Sequence, residues 1–196
     1  MTKKKGLLIA FVVLIGLSYA CSSDTQKDSS KPTTSQTQQQ AKAPSKEEVA
    51  YDKFLKINMG SSLADVKNAL GVDGKLDHEN DVAGIKTQDY TFTVGSAHMN
   101  MMFQDGALTA KSIASLSFLK PNGDDITMAQ FEKVQTGMNY DQVKQILGRE
   151  GRLLSQSSIM GETSTMYMWL NKGGANLNIS FNSSGVVDSK TQFGLK

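Results

Sequence analysis

The chain has one cysteine, one tryptophan, two histidines and three prolines in 196 residues. The lone cysteine, Cys21, has no partner for an intramolecular disulfide, so an exported form must be held by its apolar core. About 150 residues suffice for such a core, whereas one unit of about 70 would be marginal. With His78 and His98 the only imidazoles and no second thiol, a Cys/His nucleophile and a multi-histidine metal centre both lack their parts. No serine stands in Gly-x-Ser-x-Gly, and no phosphate-binding Gly-x-x-x-x-Gly-Lys loop occurs. No catalytic residue, metal ligand or cofactor is therefore assigned, and enzyme activity is not expected. A basic excess is missing too: the formal net charge of +2 includes Lys3, Lys4 and Lys5 and becomes −1 without them. Without a Lys/Arg stripe, nucleic acid is not an expected partner.

What the chain does have begins at its N-terminus. Residues 1–20 read as a signal peptide, with Lys3, Lys4 and Lys5 followed by an apolar run from Gly6 to Leu17 that is too short to span a bilayer. Cys21 follows directly, the place of the lipid-modified cysteine of bacterial lipoproteins, and predicts a lipid anchor on the extracytoplasmic side of the cell membrane. Ser18-Tyr19-Ala20 also fits an ordinary small-x-small cleavage site, which would give a freely secreted protein. From Ser22 to Lys46 there is no aromatic residue and no Val, Leu or Ile, so residues 21–46 read as a lipidated cysteine and a disordered tether. In the flexible regime about 25 residues have a typical end-to-end distance of roughly 28 Å.

The remainder is a tandem repeat. Phe54, Ile57, Gly60, Val66, Leu70, Gly71 and Gly74 recur 77 positions later as Phe131, Val134, Gly137, Val143, Leu147, Gly148 and Gly151. The offset becomes 78 at Phe103/Phe181 and 79 at Gly106/Gly185, Lys111/Lys190 and Leu116/Leu195, which places two one-residue insertions in connections. Repeat 1 is residues 47–120 and repeat 2 is residues 121–196. Each opens with a helical pair. Thr127 and Asn139 are N-caps, Gly148 a left-handed C-cap, and Ser62 with Asp65 a capping box.

Strand alternation follows. Tyr90, Phe92 and Val94 alternate with threonines, and Met99, Met101 and Phe103 match Leu177, Ile179 and Phe181. The predicted fold is α+β: two repeats, each a helix pair packed on one face of a roughly four-stranded antiparallel sheet. The other face is open. His98, Asn100 and Met102 fall on it in repeat 1, and Met166, Met168 and Leu170 in repeat 2. An apolar strip there is explained either by packing on the chain's own neighbouring segments or by a partner. Asp77-His78-Glu79-Asn80-Asp81 reads as a solvated, like-charged loop without calcium-loop spacing. Alternation splits His98 and Met102 from Met99 and Met101, which disfavours copper ligation.

The chain resembles the beta-lactamase inhibitory protein family. The carriers are Ala129-x-Phe131-x-x-Val134-x-x-Gly137-Met138 with Gln142-Val143, then Gly95-Ser96-Ala97-His98, Phe103-x-Asp105-Gly106 and Asp188-Ser189-Lys190-x-Gln192. The likeness is greatest to Gram-positive lipoproteins of that fold with the same leader, tether and repeats. It implies two helix-and-sheet units forming a concave surface that grips a protein, with Met102 standing where the inhibitor carries an interface aromatic. The inhibitor's disulfides are missing, and the strand from His98 to Phe103 is longer, so the resemblance carries the fold and not the lactamase target. The function expected is a lipid-anchored extracytoplasmic module binding an unknown protein through His98, Asn100, Met102, Met166, Met168 and Leu170. The alternatives are a small-ligand or metal carrier, and an envelope-assembly scaffold like BamE, whose helix motif is similar.

Overall fold

The computed structural model describes residues 43–196; the expected leader, Cys21 and the expected tether as far as residue 42 lie outside the described residues. Four helices form where the sequence supplies a side chain to cap them. In α1 (Lys46–Lys56) the Ser45 hydroxyl accepts the Glu48 N–H and the Glu48 carboxylate accepts the Ser45 N–H. The same reciprocal pairing opens α2 (Leu63–Leu70) through Ser62 and Asp65, α3 (Met128–Lys133) through Thr127 and Gln130, and α4 (Tyr140–Leu147) through Asn139 and Gln142. Gly71 and Gly148, both at φ 74°, end α2 and α4 in the left-handed conformation that a Cβ would strain.

Eight strands follow the helices: β1 (Lys75–Val82), β2 (Ile85–Val94), β3 (Ala97–Gln104) and β4 (Ala107–Ile113), then β5 (Arg152–Ile159), β6 (Glu162–Leu170), β7 (Asn176–Phe181) and β8 (Val187–Phe193). They lie in sequence order in one antiparallel sheet. Each repeat supplies four strands, as expected, but the sheet is continuous rather than two separate sheets. The seam is β4 against β5, with Ala110, Lys111 and Ser112 opposite Ser157, Gln156 and Ser155. It is reinforced from the helix side, where the Tyr51 hydroxyl of α1 donates to the Leu153 carbonyl at 3.0 Å. Leu153, Leu154 and Met168 of the second repeat pack on the core of the first.

The acidic run Asp77–Asp81 is a correction. It belongs to strand β1 and not to a loop, and the turn lies beyond it at Ala83-Gly84, both at positive φ. As an edge strand exposed along its whole length, β1 has no apolar alternation to display. The register also spreads the run's side chains over both sheet faces.

Both cores lie between the helices and one face of the sheet. Phe92 in repeat 1 and Trp169 in repeat 2 are fully buried, and each ring lies over a glycine. A Cβ on Gly74 would meet the Phe92 ring at 2.6 Å and one on Gly151 the Trp169 ring at 2.7 Å, which explains why both positions are glycine. Each core is closed by a lysine from the repeat's last strand. Lys111 Nζ donates to the carbonyls of Phe54 (3.0 Å) and Ile57 (2.7 Å) at the end of α1 and sits 4.9 Å from the Phe54 ring centroid. Lys190 Nζ donates to Phe131 (2.8 Å) and Val134 (2.6 Å) at the end of α3, 4.3 Å from the Phe131 ring. Carbonyls unpaired at a helix C-terminus are thereby satisfied, and the positive charge faces the negative end of the dipole.

Lys111 is 2% exposed, and burial pushes its ammonium from 10.5 down to about 8, against the carbonyls and the ring face, which favour the cation. Because the folded value is depressed, the unfolded chain holds more protons above pH 8, and stability rises as pH climbs from about 8 towards 10. Lys111→Met should remove that rise and, by stranding two buried carbonyls, destabilise the fold by on the order of 2–3 kcal/mol in urea titrations. A variant with wild-type stability and the same pH dependence would show that this lysine does not hold the helix end.

Candidate binding face

The face opposite the helices is built by register. One row runs from β2 to β8 through Thr91, Asn100, Ser112, Ser155, Met166, Ser180 and Ser189. A second joins Asp89, Met102, Ala110, Ser157 and Ser164, and a third joins Arg152, Met168, Asn178 and Thr191. At the far edge Leu170 is followed by Asn176 and Phe193. In β3 the side chains of Met99, Met101 and Phe103 are buried, His98 and Asn100 are exposed and Met102 is half-buried. All six residues singled out from the sequence share this face. They form two groups, one on β3 and one on β6, with β4 and β5 between them. Met166, Met168 and Leu170 are half-buried rather than fully exposed, and Met168 also reaches the first core.

Small side chains at the seam, Ala110, Ser112, Ser155 and Ser157, floor a trough of about 440 Å³. Asp77, Asp89 and Asn100 stand on its repeat 1 side. Their hydrogen bonds fix its polarity. Asp77 Oδ2 lies 2.5 Å from the Thr91 hydroxyl, and Asp77 Oδ1 lies 2.9 Å from Lys75 Nζ. Thr91 Oγ1 is also 3.0 Å from the Asn100 side-chain amide. The contact is to Asn100 Oδ1, and the single Thr91 proton is shared between two acceptors, of which the carboxylate is the nearer and stronger. The Thr91 hydroxyl first, and Lys75 second, hold the Asp77 carboxyl below its ordinary value. His98 Nδ1 lies 3.2 Å from the Thr93 hydroxyl, and Ser157 and Ser164 pair at 2.8 Å. Asp89 forms no ion pair with a described residue.

Phe193, 72% exposed on β8, belongs to the face and was not among the residues singled out from the sequence. With Lys190 facing the helices, alternation turns Thr191 and Phe193 outward. The two halves of the face also differ in chemistry. Asp89, Thr91 and Thr93 correspond at the 77-residue offset to Met166, Met168 and Leu170, whereas the core pairs Phe92/Trp169 and Met101/Ile179 stay apolar. Among the described residues no group of three or more His, Cys, Asp or Glu is placed to hold a metal ion. No described helix is long and apolar enough to cross a membrane.

These repeats and this face define a beta-lactamase inhibitor type of fold. The chain belongs to the beta-lactamase inhibitor (BLIP) family, whose model matches residues 50–169 and, in a second overlapping match, residues 127–196. Among solved structures it is similar to a candidate beta-lactamase inhibitor protein from Streptococcus mutans, with 22% identity and a TM-score of 0.62. That match covers 78% of this chain and 100% of the other. No curated protein sequence matches significantly.

Thr91→Val removes the hydroxyl that Asp77 accepts from, so the Asp77 pKa should move up towards 3.8 while the fold is kept. Side-chain carboxyl chemical shifts followed through an acid titration measure this. An unmoved midpoint would place the cause elsewhere.

Proposed function

We propose that this protein is a lipid-anchored, extracytoplasmic binding module that holds a protein partner on the open face of its sheet, without catalysis. The observation that carries the reading is the two-toned face itself. Core positions are kept between the repeats, while the outward positions of β2 are polar and acidic (Asp89, Thr91, Thr93) and those of the equivalent strand β6 are Met166, Met168 and Leu170. A face with no role beyond solvation gains nothing from Met166, Leu170 and Phe193, and apolar surface rimmed by polar groups marks sites of association. Membership of an inhibitor family supports a protein as ligand; the lactamase itself is not inferred for this chain. The proposed contacts are His98, Asn100, Met102, Met166, Met168 and Leu170, joined by Phe193.

A photo-crosslinking residue placed at Asn100 or Met166 in intact cells should give a discrete protein adduct, and the same residue at exposed Lys133 on the helix side should not. Equal adducts from both sides, or none from the face, would reject it as the site. Met166→Lys should then abolish the adduct formed from Asn100 at unchanged thermal stability.

The trough at the seam supports a second reading, a small-molecule carrier. Native mass spectrometry of protein purified without denaturation distinguishes the two, since a carrier retains a stoichiometric ligand mass. For the anchor, Cys21→Ala should release the protein from the membrane fraction into the medium; full retention would rule out lipid attachment at Cys21.

A further inference from the structure

The two repeats present equivalent edges, and one of them is unoccupied by any described segment. In repeat 1 the edge of β4 from Ala110 to Ser112 holds β5. Ala114 donates its N–H to His98 on the β3 side, so alternation turns the N–H and C=O of Lys111 towards β5. At the 79-residue offset the counterparts of Ala110, Lys111 and Ser112 are Ser189, Lys190 and Thr191 on β8, the last strand of the sheet. The equivalence extends to how each edge begins. The N–H and C=O of Leu108 are taken by Ser61 and Gly60, and those of Val187 by Met138 and Gly137, so the same inter-helix loop covers the same end of both strands.

Beyond that loop the two edges part. Lys111 and Ile113 are 2% exposed under β5, whereas Lys190 is half-buried and Gln192, in the place of Ile113, is exposed. Glutamine and threonine keep the edge soluble while it is empty, without blocking it. The opposite margin of the sheet is treated differently: β1 carries Lys75, Asp77, His78, Glu79 and Asp81 within eight residues, the charge pattern that discourages strand addition. On β8 the backbone-pairing stretch Ser189–Phe193 carries a single charge, and that charge, Lys190, is engaged by α3.

We propose that the β8 edge receives an extended segment of a protein partner as a ninth antiparallel strand, in the way β4 receives β5. The β4–β5 seam states the chemistry of the segment. Ser157 and Ser155 lie opposite Ala110 and Ser112, so the partner presents small or hydroxyl side chains opposite Ser189 and Thr191, followed by an apolar residue beside Phe193. A second copy offering its β1 would bring five ionisable side chains to the seam and is disfavoured by them. The edge is separate from the open-face contacts: Met166→Lys leaves it untouched.

The test uses the full mature chain and, as probe, a peptide with the sequence of Arg152–Ile159, the strand that the equivalent edge already holds. Amide NMR should show saturable shifts and slowed hydrogen exchange centred on Lys190 and Gln192. Gln192→Pro, which removes an N–H directed away from β7, should weaken binding by at least an order of magnitude, and Ser189→Lys serves the same purpose if the proline variant does not fold. Absence of shifts at millimolar peptide, or shifts confined to β4 and β5 from strand exchange, would overturn the proposal. So would a dimer by light scattering that Gln192→Pro returns to monomer, since the edge would then belong to a second copy.

Discussion

Both repeats depend on a lysine that crosses from the last strand to the end of the first helix. Alone, α3 has six residues and would not persist in water, because nucleating so short a helix costs more than its few hydrogen bonds return. Lys190 binds the two carbonyls on which the helix ends, and Lys111 does the same for α1. Desolvating an ammonium is expensive, and it is tolerated here because two carbonyl dipoles, an aromatic face and a helix C-terminus converge on it. The consequence reaches past the helix. With Lys111 and Lys190 held to the helix side, β4 and β8 cannot slip by one residue, since a one-residue slip would turn the lysine outward and the neighbouring serines into the core.

That constraint propagates along the sheet. Antiparallel pairing passes the facing of β4 to β3 and β5 and then onward, so a single choice of side fixes which residues line the open face in all eight strands. At the seam the open-face residues are small, and the backbone there is left uncovered as a trough. On the helix side the same seam is closed by Tyr51, Leu153 and Leu154, which tie the second repeat to the first core. Arg149 adds a polar tie within the second repeat. It is 8% exposed, and its guanidinium binds Asn122, the Leu170 carbonyl and Asn171, while Asn171 exchanges two hydrogen bonds with the backbone of Ile126. The linker between repeats is thereby fastened to the β6/β7 connection.

Much of this was legible in the sequence because it depends on local rules. The capping residues Ser62, Thr127 and Asn139, the glycine after each second helix, and the alternation of β2, β3 and β6 each follow from a few consecutive residues. What was not legible depends on partners distant in sequence. β1 read as a loop because an edge strand wet on both faces has no apolar period, and its acidic residues look like solvated punctuation. Lys111 and Lys190 were visible as a matched pair, but a lysine is by default assigned to water, and only the fold brings a helix end to its ammonium. The outward facing of Phe193 follows by alternation from Lys190, and the side taken by that lysine is itself set by its contact with α3. The joining of the two halves into one sheet rests on three residue pairs of serine, glutamine, alanine and lysine, which carry no hydrophobic signal.

Duplication supplies the internal control that a single copy lacks. Where two descendants of one unit keep a position apolar, as at Phe92/Trp169, Met99/Leu177, Met101/Ile179 and Phe103/Phe181, packing density constrains it in both. The outward positions are free of that constraint and have parted: from β2 to β6 Asp89 becomes Met166, Thr91 becomes Met168 and Thr93 becomes Leu170, all towards the apolar, while Met102 to Ser180 and Ala110 to Ser189 on the other strands run the opposite way. Chance drift on a solvated face favours polar replacements, because exposed methionine and leucine bring no packing energy and add a risk of aggregation. In repeat 1 the same rows keep Asp77 tethered by Thr91 and leave Asp89 without an ion pair among the described residues. One ligand spanning both halves must therefore set an apolar surface on β6 and donors, cationic for preference, on β2. Such a surface is a protein's more readily than a small metabolite's, because the two halves lie on either side of β4 and β5 and the spacing between adjacent strands is about 4.8 Å.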